Sequence, residues 1–208
     1  MNDVRICFIG ESFINGTGDS TYLGWTGRLC VALSQQGYQA TYYNLGIRRE
    51  TSTELASRWQ AEAERRLPVG CDNRIVFSFG TNDTTIENGK LRVELADSLK
   101  NARHILSTAK CYYRVLMVSP PPTIDCDQHT RVRRLSEHFS TVCQELDIPY
   151  LDVFTPLLNS TVWMTEVKAG DGSHPNAAGY TELTQLVQSW TGWSNWFEPN
   201  VDTPTSVV

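Results

Sequence analysis

The chain has 208 residues, enough for one domain with a substantial core. Hydrophobic residues make up 40% and charged residues 20%, as in ordinary globular proteins, which excludes a disordered or membrane-embedded class. The formal charge of −5 argues against a nucleic-acid or anionic-membrane surface. No apolar run approaches the roughly 20 residues that span a bilayer. The N-terminus Met1-Asn2-Asp3-Val4 lacks a basic region, and Ile6 to Ile9 reads as a strand. No signal peptide is therefore expected, and the cytoplasm is the expected location. Six cysteines lie far apart, with no C-x-x-C and no histidine at metal spacing. They read as reduced, mostly buried small hydrophobes, and no metal or other cofactor is expected.

In chain order, Val4 to Ile9 is the first compact run of β-formers, and Ala40 to Leu45 is a more polar strand nearer an edge. Thr51 followed by Glu54 forms a capping box for a helix running towards Arg66. Ile75 to Phe79 is the third strand. Leu91, Leu95, Leu99, Ala102 and Leu106 then line one face of a helix. Val115 to Val118 is the fourth strand. Val132, Leu135, Phe139, Val142 and Leu146 stripe the next helix, and Tyr150 to Val153 is the fifth strand. The last helix opens near Asn176, after Pro175, and buries Tyr180, Leu183, Val187 and Trp190. Residues 1–190 form one domain. Residues 191–208 read as an irregular aromatic tail, with Trp193, Trp196 and Phe197 docking on the body. Strands alternating with helices imply βαβ units, hence a parallel sheet covered on both faces.

In such a sheet, ligands bind beyond the carboxyl ends of the strands. Four segments fall there: Gly10-Glu11-Ser12-Phe13, Asn44-Leu45-Gly46, Gly80-Thr81-Asn82-Asp83 and, before the last helix, Asp171-Gly172-Ser173-His174-Pro175. Each has a bland explanation alone, as a cap, a turn or a helix start. Their shared location favours chemistry. A serine hydroxyl needs a base to take its proton as it attacks, and an imidazole suits that exchange near neutrality. His174 is the candidate base for Ser12. Asp171, three residues earlier, is placed to bond Nδ1–H and leave Nε2 free. Asn82 offers a side-chain amide, and Gly46 and Ser12 offer backbone N–H groups, to a developing oxyanion.

These four blocks resemble those of the SGNH hydrolases, also called the GDSL esterase/lipase family, over about residues 4 to 190. The resemblance implies a flavodoxin-like three-layer α/β/α sandwich around a central five-stranded parallel sheet. It implies Ser12 as nucleophile, Asp171 and His174 as the rest of the triad, and Ser12, Gly46 and Asn82 as the oxyanion hole. Two residues depart from the pattern: Glu11 stands where aspartate is usual, and Phe13 where leucine is usual.

The reading that follows is a cofactor-independent carboxylic-ester hydrolase acting on a small-molecule ester, with no nucleic-acid partner and no insertion into membranes. The alternatives are a carbohydrate O-deacetylase, a thioesterase or a lysophospholipase with the same triad, or a binding protein that keeps the pocket without turnover. Oligomeric state is not readable. Arg48 and Arg49 follow Gly46, and Arg48 is a candidate anion contact. The segment from Asn15 to Leu23 and the loop from Asn159 to Gly170 are the expected site walls, with Trp163 a candidate substrate contact. No insertion is long enough for a lid, so short acyl groups are expected to be preferred.

Overall fold

The computed structural model describes residues 3–197. Five parallel strands, β1 (Val4–Gly10), β2 (Thr41–Gly46), β3 (Asp72–Ser78), β6 (Arg114–Val118) and β7 (Tyr150–Leu151), form one sheet in the order β2-β1-β3-β6-β7. Two short strands, β4 (Ile86–Glu87) and β5 (Lys90–Leu91), pair as a separate antiparallel hairpin. Connecting them are α1 (Ser12–Asn15), α2 (Gly24–Gln35), α3 (Ser52–Glu64), α4 (Leu95–Lys110), α5 (Cys126–Glu145), α6 (Phe154–Leu158), α7 (Thr161–Ala169), α8 (Ala177–Gln188) and α9 (Thr191–Ser194). The result is the expected α/β/α sandwich.

Successive strand residues point to opposite faces, so each central strand feeds two cores. Cys7, Ile9, Ile75, Phe77, Val115 and Met117 join side chains of α3, α4 and α5. Ile6, Phe8, Val76, Leu116 and Val118 join side chains of α2, α7 and α8. The polar strand β2 lies at the sheet edge, where its alternate residues meet solvent. Thr51 caps α3 through the capping box with Glu54.

The strand order reverses between β1 and β3, and there the chain ends line up. Gly10 pairs with Gly46 on one side and Ser78 on the other, so three strands terminate at one level. The approach is tight: a Cβ on Gly10 would sit 1.8 Å from the Ser78 carbonyl oxygen. That register puts the Ser12, Gly46 and Asn82 segments at one edge, the crevice where open α/β sheets bind ligands.

Several local expectations are corrected. The segment from Asn159 to Gly170 is mostly helical: Ser160 caps α7 by accepting the Trp163 N–H at 3.0 Å. Val162, Trp163, Thr165 and Val167 are poor helix formers, which is why the pattern reads as a loop. Leu91 belongs to β5, and its helix begins at Leu95. Strand β7 stops at Leu151 because the Ser119 hydroxyl and the Asp152 carboxylate capture the Val153 and Phe154 N–H groups and turn the chain into α6. Helix α2 buries only a weak apolar stripe of Trp25, Leu29 and Leu33, too sparse to mark a helix in the sequence. Beyond Trp190 the tail forms the short α9, and Trp193 and Trp196 are buried against the second core. The Trp196 carbonyl accepts from buried Arg74 at 2.6 Å, and that guanidinium lies 4.8 Å from the Phe197 ring centre. The rest of the tail, 198–208, lies outside the described residues.

Candidate active site

Ser12 opens α1 directly after β1, with Glu11 as the extended residue before it. At the first helical position its N–H has no carbonyl within the helix to bond. The hydroxyl bonds His174 Nε2 at 2.7 Å, and His174 Nδ1 bonds Asp171 Oδ2 at 2.8 Å. A carboxylate only accepts, so Nδ1 carries the proton and Nε2 is the acceptor for the Ser12 hydroxyl. Asp171 also accepts the backbone N–H groups of Ser173 and His174 through Oδ1, which folds the loop back on itself. Partial burial works against ionisation of Asp171, but the His174 backbone N–H and the other bonds outweigh it and hold the carboxyl at about 2. Burial is the largest influence on His174 and lowers its pKa, against the opposing pull of Asp171. At neutral pH the ring is uncharged and can accept a proton.

Asn82 begins a 3-10 turn after β3. Its Nδ2 donates to Glu11 Oε2, and to the Glu50 carbonyl at 3.0 Å. Gly46 packs against α1 so closely that a Cβ would lie 2.3 Å from the Asn15 nitrogen. The Gly46 N–H donates to Asn44 Oδ1 at 3.0 Å, and the Asn44 amide in turn bonds the Ile14 carbonyl and Thr26. Asn44 thus ties β2 to α1 and α2, a role its block does not announce in sequence.

Ser12, Asn82, Asp171 and His174 line one cleft of about 330 Å³. Its rim carries Arg48, Arg49 and Arg92 with Glu87 from the β4–β5 hairpin. Arg49 bonds Glu87, and Arg92 donates to the Arg49 carbonyl. Arg48 reaches Asp171 only at 3.4 Å and is 61% exposed. Thr81, Thr85, Thr123, Gln128 and Ser173 complete the lining, and Phe13 is its one hydrocarbon side chain. These hairpin and α5 contributions carry no motif and were not readable beforehand.

Trp163 does not line the cleft. It is fully buried, its ring 6.1 Å from that of Phe13, with Nε1 donating to the Pro122 carbonyl at 3.0 Å. Phe13 in turn packs 5.0 Å from the His174 ring. Trp163 therefore supports the wall from behind. The segment from Asn15 to Leu23 also stays out of the lining: buried Asp19 collects the Thr21 and Gly24 N–H groups and Arg28 into a fixed loop. Among the described residues, no group of three or more His, Cys, Asp or Glu is placed to hold a metal ion, and no helix is long and apolar enough to cross a membrane.

A serine, a histidine and a carboxylate stand in hydrogen-bonded series at the switch point of a parallel sheet, in an α/β/α sandwich of the SGNH architecture. The model of the GDSL-like lipase/acylhydrolase family matches residues 8–181, and the chain belongs to that family. It is a carboxylic-ester hydrolase of the GDSL type. Among solved structures it is similar to a lipase/acylhydrolase from Enterococcus faecalis, with a TM-score of 0.74, 19% identity and 88% of this chain and 93% of that chain covered. An acetylxylan esterase from Geobacillus stearothermophilus matches with a TM-score of 0.73 and 16% identity, over 89% of this chain and 92% of that one. A putative acylhydrolase from Bacteroides fragilis gives 0.65 and 19%, over 88% and 84%. No curated protein matches the chain.

Proposed function

We propose that this protein hydrolyses short-chain carboxylic esters through an acyl-enzyme on Ser12. The observation that carries the reading is the unbroken series from Ser12 Oγ to His174 Nε2 at 2.7 Å and from Nδ1 to Asp171 at 2.8 Å. As Oγ attacks the ester carbonyl carbon, its proton passes to Nε2, and Asp171 stabilises the imidazolium. The tetrahedral intermediate then collapses, the carbon–alkoxide bond breaks and His174 returns the proton to the leaving alcohol. Water repeats the sequence to release the acid. The Ser12 N–H, the Gly46 N–H and the Asn82 amide are the proposed oxyanion donors. The latter two hold other acceptors in the resting protein. An oxyanion is a stronger acceptor than the neutral Asn44 amide and draws the Gly46 N–H to itself.

The cleft supports a short acyl group and a polar alcohol. Each buried methylene adds about 0.8 kcal/mol only while apolar wall remains to cover it. Phe13 alone supplies such wall, and it is 2% exposed. Arg48, with one long contact, is the proposed contact for an anionic or oxygen-rich part of the substrate. The six cysteines are unpaired, which supports a reducing, cytoplasmic setting.

The test is a panel of p-nitrophenyl esters from acetyl to palmitoyl, with acetylated xylo-oligosaccharides and a lysophospholipid. The proposal expects kcat/KM to peak at about two to six acyl carbons and then fall. A steady rise to palmitoyl contradicts it. Replacing Arg48 with Gln is expected to raise KM for anionic or sugar esters more than for p-nitrophenyl acetate.

A further inference from the structure

Glu11 is 1% exposed, is not part of the Ser12–His174–Asp171 series, and carries no arginine or lysine partner among the described residues. Its carboxylate is held instead by donors from one turn. Oε1 accepts the Thr81 N–H at 3.1 Å, and Oε2 accepts the Asn82 N–H at 3.2 Å together with the Asn82 side-chain amide. Glu50 O takes the other hydrogen of that amide at 3.0 Å. Both neighbours of Asn82 Nδ2 are acceptors, so only the nitrogen can occupy that place. The opposite orientation would set Oδ1 against a carboxylate and a carbonyl.

We infer that Glu11 is a positioning residue for the oxyanion hole: its carboxylate fixes the Thr81–Asn82 turn and anchors one hydrogen of the Asn82 amide, so that the other, resting on the neutral Glu50 carbonyl, is the one a stronger-accepting oxyanion draws to itself. This rests on the reading of Asn82 as an oxyanion donor. In its ionised form Glu11 supplies what the role requires, a group that accepts at both oxygens and donates at neither. Burial pushes its carboxyl up to about 7, and neighbouring Asp83 adds to the rise, so the N–H groups of this turn are what favour the anion. Glu11 precedes the nucleophile in sequence and reaches across from the end of β1 to the end of β3, so one residue couples the two segments that must meet the same substrate carbonyl.

Gln at this position keeps the shape but turns one acceptor into a donor that faces an N–H group. Asp keeps the charge and both acceptors but is one methylene shorter. With p-nitrophenyl acetate, Glu11→Gln is expected to lower kcat by about 10²-fold with KM little changed, towards the loss from deleting one oxyanion donor. Glu11→Asp is expected to recover about tenfold or more of that loss. The Glu11→Gln/Asn82→Ala double variant is expected to be no slower than Asn82→Ala alone, because one residue acts through the other. Full kcat in Glu11→Gln, a change in KM alone, or additive losses in the double variant would overturn the inference. Should Glu11→Gln fail to fold, Glu11→Asp with and without Asn82→Ala gives the same cycle. A wild-type protein that hydrolyses no ester fails the parent reading, whereas an active wild type with additive variants fails this one alone.

Discussion

At the scale of single residues, the site concentrates its chemistry in very few atoms. In the proposed mechanism Ser12 and His174 share one proton, along the bond from Oγ to Nε2, so removing either would disable the same step. Ser12→Ala and His174→Ala are each expected to lower kcat by about four to six orders of magnitude, with little further loss in the double variant. Additive losses in steady-state kinetics would mean the two residues work separately. Asn82→Ala is expected to cost about 2.7–4 kcal/mol of transition-state stabilisation, seen in kcat with KM nearly constant. A rise in KM alone would make Asn82 a ground-state contact. The pH profile follows from burial of His174. The ring must be neutral to accept the Ser12 proton, so activity is lost as pH falls through its pKa. That pKa lies below the ordinary value of about 6.5, and the acid limb of kcat/KM is therefore expected below 6.5. The Arg48 charge contributes to the lowering, so Arg48→Gln is expected to move the limb upward.

At the scale of elements, what was readable in the sequence depended on how strongly a segment shows its environment. The two central strands are apolar on both faces, and Ser12, Gly46, Asn82, Asp171 and His174 fall at segment ends, so both sheet and site edge could be read. Helix α7 could not be, because its side chains are β-formers and tertiary packing decides its conformation. The Arg49–Glu87–Arg92 rim was hidden for another reason: the β4–β5 hairpin brings together residues with no shared spacing. Trp163 shows the limit most clearly. A large aromatic in a presumed loop invites a binding role, yet its ring and its Nε1–H are both satisfied internally. Trp163→Phe leaves the Pro122 carbonyl without that donor and is expected to cost about 1–3 kcal/mol in urea unfolding. The acyl-chain preference should stay unchanged; a shifted preference would return Trp163 to the substrate wall.

At the scale of the whole molecule, the proposed site and the docked aromatic tail lie at opposite ends of one sheet. The carboxyl ends of β1, β2 and β3 hold polar groups in tight, mutually satisfied bonds. The start of β3 carries Arg74, against which Trp196 and Phe197 close the second core. Trp193→Ala is expected to destabilise the fold by about 3–5 kcal/mol, the usual loss for a buried aromatic, with kcat on the remaining folded protein near wild type. A large fall in kcat without a fall in stability would instead link the tail to the site. Distance along the sheet is what makes the two effects separable.

The central claim is that Ser12 is an activated nucleophile, and covalent labelling tests it most directly. The protein would be treated with a fluorophosphonate, weighed intact and digested to locate the adduct. One adduct per chain on Ser12 is predicted, absent in Ser12→Ala and strongly slowed in His174→Ala. An unlabelled wild type, or an adduct on a serine outside the cleft, would contradict the account.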